Sequence, residues 1–215
     1  MPEELIIRHG SPTLAGLKTA NLFTCMFDSE EETIREIRRL NQILVPKGLR
    51  ILPLRYTKGR VLLYLYRPAR LKQDLDDQSA RTLLQSKGYP CEHAERCVVT
   101  LADKLRNIHD DQEFPHEIGL FLGYPPEDVQ GFIEKKACEC KCSGCWKVYG
   151  DAERAKRTFE CYKECTELYC RLWSRGSSID QLAVVMGSER GNLRHMNTAE
   201  EVLKTEEQQK KCITV

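Results

Sequence analysis

The 215-residue chain has no long hydrophobic run: its longest apolar stretch is VLLYLY, residues 61–66. A membrane-spanning helix needs roughly 20 apolar residues, so none is expected. The start, MPEELIIRHG, has neither a basic leading segment nor an apolar core, and no secretory signal is read there. There is no excess of either charge: 33 Lys and Arg stand against 32 Asp and Glu, a net charge of +1. That balance excludes a bulk electrostatic pull toward nucleic acid or anionic lipid, leaving only a local patch to supply one. Also missing are H-E-x-x-H, G-x-S-x-G and a phosphate-cradling glycine loop, and with them the signatures of zinc proteases, serine hydrolases and nucleotide-binding loops. These absences give the expectation of a cytoplasmic protein with no membrane or nucleic-acid partner.

Cysteine, by contrast, is abundant, with 11 residues. In a cytoplasmic protein they are not expected to form a disulfide framework, which leaves core thiols, metal ligands or redox groups. CECKCSGC places Cys138, Cys140, Cys142 and Cys145 close together. Cys142 and Cys145 form C-x2-C, and Cys161 and Cys165 form C-x3-C further along. Four thiolates can surround a tetrahedral ion, so this set is a candidate for zinc or an iron–sulfur cluster. The alternative is reduced thiols, with Cys97 and Cys170 filling core.

Hydrophobic periodicity points to an α+β fold, mostly helical, with a small antiparallel sheet. DSEEETIREIRRLNQIL is the clearest helix: Ser29 and Glu32 have capping-box spacing, and Ile34, Ile37, Leu40 and Leu44 make one stripe. Residues 49–66 read as a hairpin turning at Gly59, with Pro53 marking an edge or a bulge. In its second strand Leu62, Tyr64 and Tyr66 share one face and Val61, Leu63 and Leu65 the other, both at least partly buried. Residues 11–27 read as a short helix running into a strand near 21–27, and a further strand near 145–149 is expected to complete the sheet. Residues 68–136 are helical in pattern. A long helix opens at Gly150 and Asp151 and ends at Gly176, and a last short one covers 179–186. Residues 1–186 are expected to form a single domain, and 187–215 a polar, flexible C-terminal tail.

Gly-Tyr-Pro-x-Glu occurs twice, at 88–92 and 123–127. In each copy glycine can end one helix in a left-handed conformation and proline can begin the next. Around the second copy, Ile118, Gly119, Gly123, Val129 and Phe132 match helix-turn-helix spacing. A second match runs through Leu182, Ala183, Gly187, Leu193 and Met196. In the first match the helix that would read DNA begins Pro126-Glu127-Asp128, placing carboxylates where phosphates would lie.

Five polar residues in apolar or helix-terminal settings are ligand-binding candidates: His9, Lys18, Asn21, His116 and Glu117. His9 precedes Gly10 at a helix approach, and Lys18 and Asn21 interrupt an apolar stretch. His116 and Glu117 open a helix at Pro115, where unpaired N–H groups favour anions. Structural hydrogen bonding is the competing reading of all five.

Three segments, RHGSPTLAGLKTANLF (8–23), FPHEIGLFLGYPPEDVQGFIE (114–134) and CWKVYGD (145–151), resemble the signatures of an uncharacterised domain-of-unknown-function family of clostridia-like anaerobic Firmicutes. The likeness spans about residues 5–180. It implies a bacterial, single-domain protein with no established activity, and a loose link to iron or redox physiology. The positions it marks are His9, Pro12, Thr13, Lys18, Asn21, His116, Glu117, Gly123, Trp146 and Gly150. Gly10 stands where a cysteine is usual in the family and Cys145 where an aromatic is usual, which puts the four-cysteine site in doubt as a family feature.

Three functional classes follow. The first is a ligand-binding or accessory protein, with a small ligand or a protein as its partner. The second is an enzyme using the His9/Lys18/His116/Glu117 set, and the third is a helix-turn-helix regulator.

Overall fold

The computed structural model describes residues 3–108 and 114–186. The expected tail, 187–215, and most of the second helix-turn-helix match lie outside the described residues. Residues 1–184 form one compact unit.

Its centre is a three-stranded antiparallel sheet: β1 (Ala20–Met26), β2 (Arg50–Thr57) and β3 (Arg60–Tyr66), in the order β1-β3-β2. The central strand has the least polar sequence, as burial on both faces requires. Val61, Leu63 and Leu65 face one apolar cluster, Tyr64 and Tyr66 the other. β2 is an edge strand, and its register slips between Pro53 and Arg55. Proline cannot donate to the ladder, which accounts for both features. Gly59 makes the hairpin turn at φ 68°.

On the face of Val61 and Leu63 lie α1 (Glu3–Leu14), α2 (Glu30–Leu44), the long α8 (Ala152–Ser174) and the short α9 (Ile179–Leu182). Ser29 caps α2 by accepting from the Glu32 N–H, and Thr33, Ile37, Leu40 and Leu44 are its buried face. Asp151 caps α8 in the same way, through the Arg154 N–H. The first helix starts at Glu3, well before the expected approach at His9–Gly10, and it runs through Pro12. Gly10 lets it cross the sheet closely, because a Cβ there would stand 2.6 Å from Leu65 Cδ2.

On the Tyr64 face lie α3 (Pro68–Leu75), α4 (Gln78–Ser86), α5 (Ala94–Arg106), α6 (Ile118–Phe121) and α7 (Pro126–Glu134). The Tyr64 hydroxyl donates to the Phe121 carbonyl at 2.6 Å, tying α6 to the middle of the sheet. Both Gly-Tyr-Pro corners use a left-handed glycine, with φ 78° at Gly88 and 75° at Gly123. The next helix follows at once only in the second copy, where Pro126 opens α7. In the first, α5 waits until Ala94, with His93 at the N-terminal boundary and no side-chain cap.

The stretch near 145–149 does not join the main sheet. β5 (Lys147–Val148) pairs instead with β4 (Cys142–Ser143), as a separate two-stranded hairpin. Gly144 permits that local turn against α8, since a Cβ there would meet the Phe159 ring at 2.2 Å.

Candidate ligand cleft

The segment after α1 is tied down by its backbone. Leu17 N–H and Lys18 N–H both donate to the Pro12 carbonyl, and the Thr19 carbonyl accepts from Arg67 N–H. Among the described residues, the buried Arg67 guanidinium donates only to backbone carbonyls: Thr13 at 2.8 Å, Leu14 at 2.7 Å, Val184 at 2.8 Å and Lys47 at 3.3 Å. A cation suits the carbonyl end of a helix, although burial lowers the pKa of Arg67 to about 10. Arg70 adds a bond to the Gly16 carbonyl.

This brace delivers Lys18 to the second corner. Lys18 is only 6% exposed. Its ammonium lies 5.2 Å from the centroid of the Tyr124 ring and 5.7 Å from that of Tyr162. It has no hydrogen-bond acceptor or carboxylate partner among the described residues. Burial lowers its pKa to about 8, with the nearby Cys145 thiol pulling the other way. Thr19, next in sequence, donates to Asp74 Oδ2. It also packs so closely on Gly123 that a Cβ there would lie 2.7 Å from the threonine hydroxyl.

The corner is latched in turn to the β4–β5 hairpin by Asp128, which is 3% exposed. Its Oδ1 accepts the N–H groups of Tyr149 and Gly150, each at 2.7 Å, and its Oδ2 accepts the Trp146 indole N–H at 2.7 Å. Trp146 stacks on Tyr124 at 4.8 Å and meets the edge of Phe159 at 4.6 Å. The three sequence motifs therefore converge: Lys18 and Thr19 from the first, Gly123, Tyr124 and Asp128 from the second, Trp146 and Gly150 from the third.

Two cavities flank the junction. A mainly apolar one of about 190 Å³ is lined by His116, Leu122, Tyr124, Val129, Phe132 and Trp146, among others. A polar one of about 300 Å³ is lined by Thr19, Arg70, Asp74, Glu127, Trp146, Asp151, Arg154, Thr158 and Tyr162, with Leu17, Gly123, Pro125, Asp128 and Ala155 completing the wall. Lys18 lines neither; of its tyrosine partners, Tyr124 lines the apolar cavity and Tyr162 the polar one.

The sequence-derived candidates are dispersed around this junction. His116 lines the apolar cavity, with its ring 4.9 Å from that of Phe132. Glu117 is buried elsewhere, accepting from the Tyr89 hydroxyl at 3.0 Å and from Lys104 at 3.4 Å. His9 is exposed on α1 and stacks on Phe23 at 5.7 Å, and Asn21 accepts the Thr13 hydroxyl at 2.7 Å. Neither His9, Asn21 nor Glu117 lines either cavity. Lys18 lies over the ring of Tyr124, which lines the apolar cavity together with His116. Thr19, Arg70, Asp74 and Tyr162 had no separate signal in the sequence, because their meeting depends on long-range packing.

The thiols do not form the expected quartet. Among the described residues, no group of three or more His, Cys, Asp or Glu is arranged to hold a metal ion. Cys142 and Cys145 belong to the hairpin and its turn, whereas Cys165 is buried against the α1–α2 side of the core. Burial raises the Cys165 thiol to about 12, keeping it protonated at neutral pH, whereas zinc and iron–sulfur ligation require the thiolate. Cys161, one turn before it, is exposed. The residues present therefore do not fit zinc or an iron–sulfur cluster.

The first helix-turn-helix match also has a structural account. Asp128, Val129 and Gly131 form the buried face of α7, and Gly131 lies flush against Tyr149. The outward face of α7 carries exposed Glu127, Gln130 and Glu134, so the surface offered to a groove is acidic.

An α+β chain whose three motifs meet at one braced junction defines the class. The chain belongs to the family described as Protein of unknown function (DUF3793), whose profile matches residues 6–183. No curated protein and no solved structure matches it. Among the described residues, no helix is long and apolar enough to cross a membrane.

Proposed function

We propose that the chain binds a small, neutral, hydroxyl-rich organic ligand in the 300 Å³ polar cleft. The observation that carries this reading is the make-up of the cleft where the three motifs meet. Trp146 and Tyr162 provide aromatic surface, and Asp74, Glu127, Asp151, Arg70, Arg154, Thr19 and Thr158 provide donors and acceptors. Ligand sites combine apolar or aromatic walls with a few convergent polar groups in this way. Carboxylates outnumber cations along the wall, which disfavours an anionic ligand and suits hydroxyl donors. The volume suits a molecule of a few carbons. A ligand-binding role fits better than an iron-linked one, because the thiols with metal spacing are dispersed.

The test is titration of the full chain with erythritol, followed by Trp fluorescence and calorimetry. Saturable millimolar binding is expected, weakened about tenfold by Asp74→Asn through loss of a charged acceptor. Absence of saturable binding to erythritol and to its three- and five-carbon homologues would overturn the reading.

A further inference from the structure

We infer that the apolar cavity of about 190 Å³ is a second binding site, and that it takes a neutral molecule built on a single aromatic ring. The inference does not depend on the polar cleft being a ligand site.

Protein interiors are close-packed, and voids larger than a water molecule are few. Atoms that line such a void lack contact partners, so it costs stability until something fills it. Ile118, Leu122 and Val129 line this one together with the rings of His116, Tyr124, Phe132 and Trp146. So apolar a lining holds water poorly, and an apolar cavity of about 150 Å³ takes up benzene. The cavity here is somewhat larger, with room for one substituted ring.

The walls are fixed and cannot close over the space. α6 and α7 already touch, because a Cβ at Gly119 would stand 2.7 Å from Val129 Cγ2. The Tyr64 hydroxyl holds the end of α6 through the Phe121 carbonyl, and Asp128 holds the Trp146 indole. Tightening the cavity would force that contact or break one of those bonds. A site formed in advance loses little affinity to reorganisation.

The lining also sets the chemical class. Its carboxylate and its ammonium are both engaged: Asp128 accepts three N–H groups, and Lys147 donates to the Ala137 carbonyl at 2.6 Å. An ionic ligand would bury charge without a committed partner, which is costly. Two ring pairs border the space, Tyr124 stacked on Trp146 at 4.8 Å and His116 edge-on to Phe132 at 4.9 Å. Aromatic rings attract one another in offset and edge-to-face arrangements beyond the area they bury. A further ring extends that set, whereas an aliphatic molecule of the same size only fills it.

The experiment titrates the isotope-labelled full chain with toluene and follows the indole N–H signal of Trp146 by NMR, assigned with Trp173→Phe. We expect a saturable shift with Kd of about 0.1–1 mM. Methylcyclohexane should bind about threefold to tenfold more weakly, and benzoate at least about tenfold more weakly. Phe132→Trp and Leu122→Phe each add bulk to the lining and should each weaken toluene at least about tenfold. Thermal unfolding identifies whichever of the two folds, and that variant decides. Asp74→Asn, in the polar cleft, should leave toluene binding unchanged. Absence of a saturable shift would overturn the site, as would undiminished toluene binding in a folded filling variant. Methylcyclohexane or benzoate binding as tightly as toluene would overturn the ligand class. Toluene binding without erythritol binding supports this site and removes the cleft reading; erythritol binding alone does the reverse.

Discussion

Asp128 accepts the indole N–H of Trp146 at 2.7 Å, and its other oxygen holds the backbone of Tyr149 and Gly150. One buried carboxylate thus joins α7 to a hairpin too short to be stable alone. Asp128→Ala leaves three donors without an acceptor and is expected to destabilise the chain by about 3 kcal/mol or more. Asp128→Asn keeps the shape but turns one acceptor into a donor, and its cost should fall between those of wild type and alanine. Urea denaturation gives the stability. Trp146 emission should shift to the red in Asp128→Ala, with Trp146→Phe reporting the Trp173 background. Unchanged stability in the alanine variant would refute the latch.

The two glycine corners allow a controlled comparison. Gly88 and Gly123 have nearly the same left-handed φ, but a Cβ at Gly88 meets nothing within 4 Å, whereas one at Gly123 collides with Thr19. Alanine at Gly88 should cost about 1–2 kcal/mol from conformation alone. Alanine at Gly123 should cost more, because Thr19 sits on the braced 16–19 segment and cannot easily give way. Equal costs in thermal unfolding would show that the contact is soft.

Lys18 contributes a pH dependence of unusual sign. Its pKa is lowered from 10.5 to about 8 in the folded chain. Between those values the unfolded chain holds more protons, so the stability contributed by this group rises with pH through that window. Below pH 8 the buried ammonium is a net cost of roughly 3 kcal/mol, before the tyrosine rings offset part of it. Lys18→Met should therefore be as stable as wild type at pH 7, or more stable, and should lose the rise above pH 8. Strong destabilisation by methionine at pH 7 would mark Lys18 as a structural cation.

Thiol reactivity should follow burial. Native-state alkylation is expected to label Cys138 and Cys161 early, and to spare Cys25, Cys97 and Cys165 until the chain unfolds. Equimolar cobalt(II) should give no tetrathiolate charge-transfer band from Cys142, Cys145, Cys161 and Cys165. Such a band would restore the four-thiolate reading.

Local signals in the sequence were reliable where one residue's own chemistry decides the outcome. Pro53 announced the bulge and edge of β2, alternation from Val61 to Tyr66 announced a strand covered on both faces, and Ser29 and Asp151 announced their helices. Partners distant in sequence were not legible. Asp128 reads locally as an acid favouring a helix start, and only folding shows it serving Trp146. Cysteine spacing suggested a metal because it ignores depth, which separates exposed Cys161 from buried Cys165. The local pattern suggested a short first helix beginning near residue 11, whereas it starts at Glu3 and runs through Pro12. Lys18 was legible as an odd residue in an apolar stretch, but not as one resting between two tyrosines.

The brace around residues 16–19 has a kinetic and entropic consequence. Pro12, Arg67 and Arg70 hold the backbone on both sides of Lys18 before any ligand arrives. A ligand entering the polar cleft beside Leu17 and Thr19 would not have to order the loop that carries them, so little of its interaction energy would be lost to conformational entropy. Association should then be a single-step encounter, its rate proportional to ligand concentration and free of a slow isomerisation phase. Loosening the brace at Arg67 would weaken the complex without removing any group that touches the ligand.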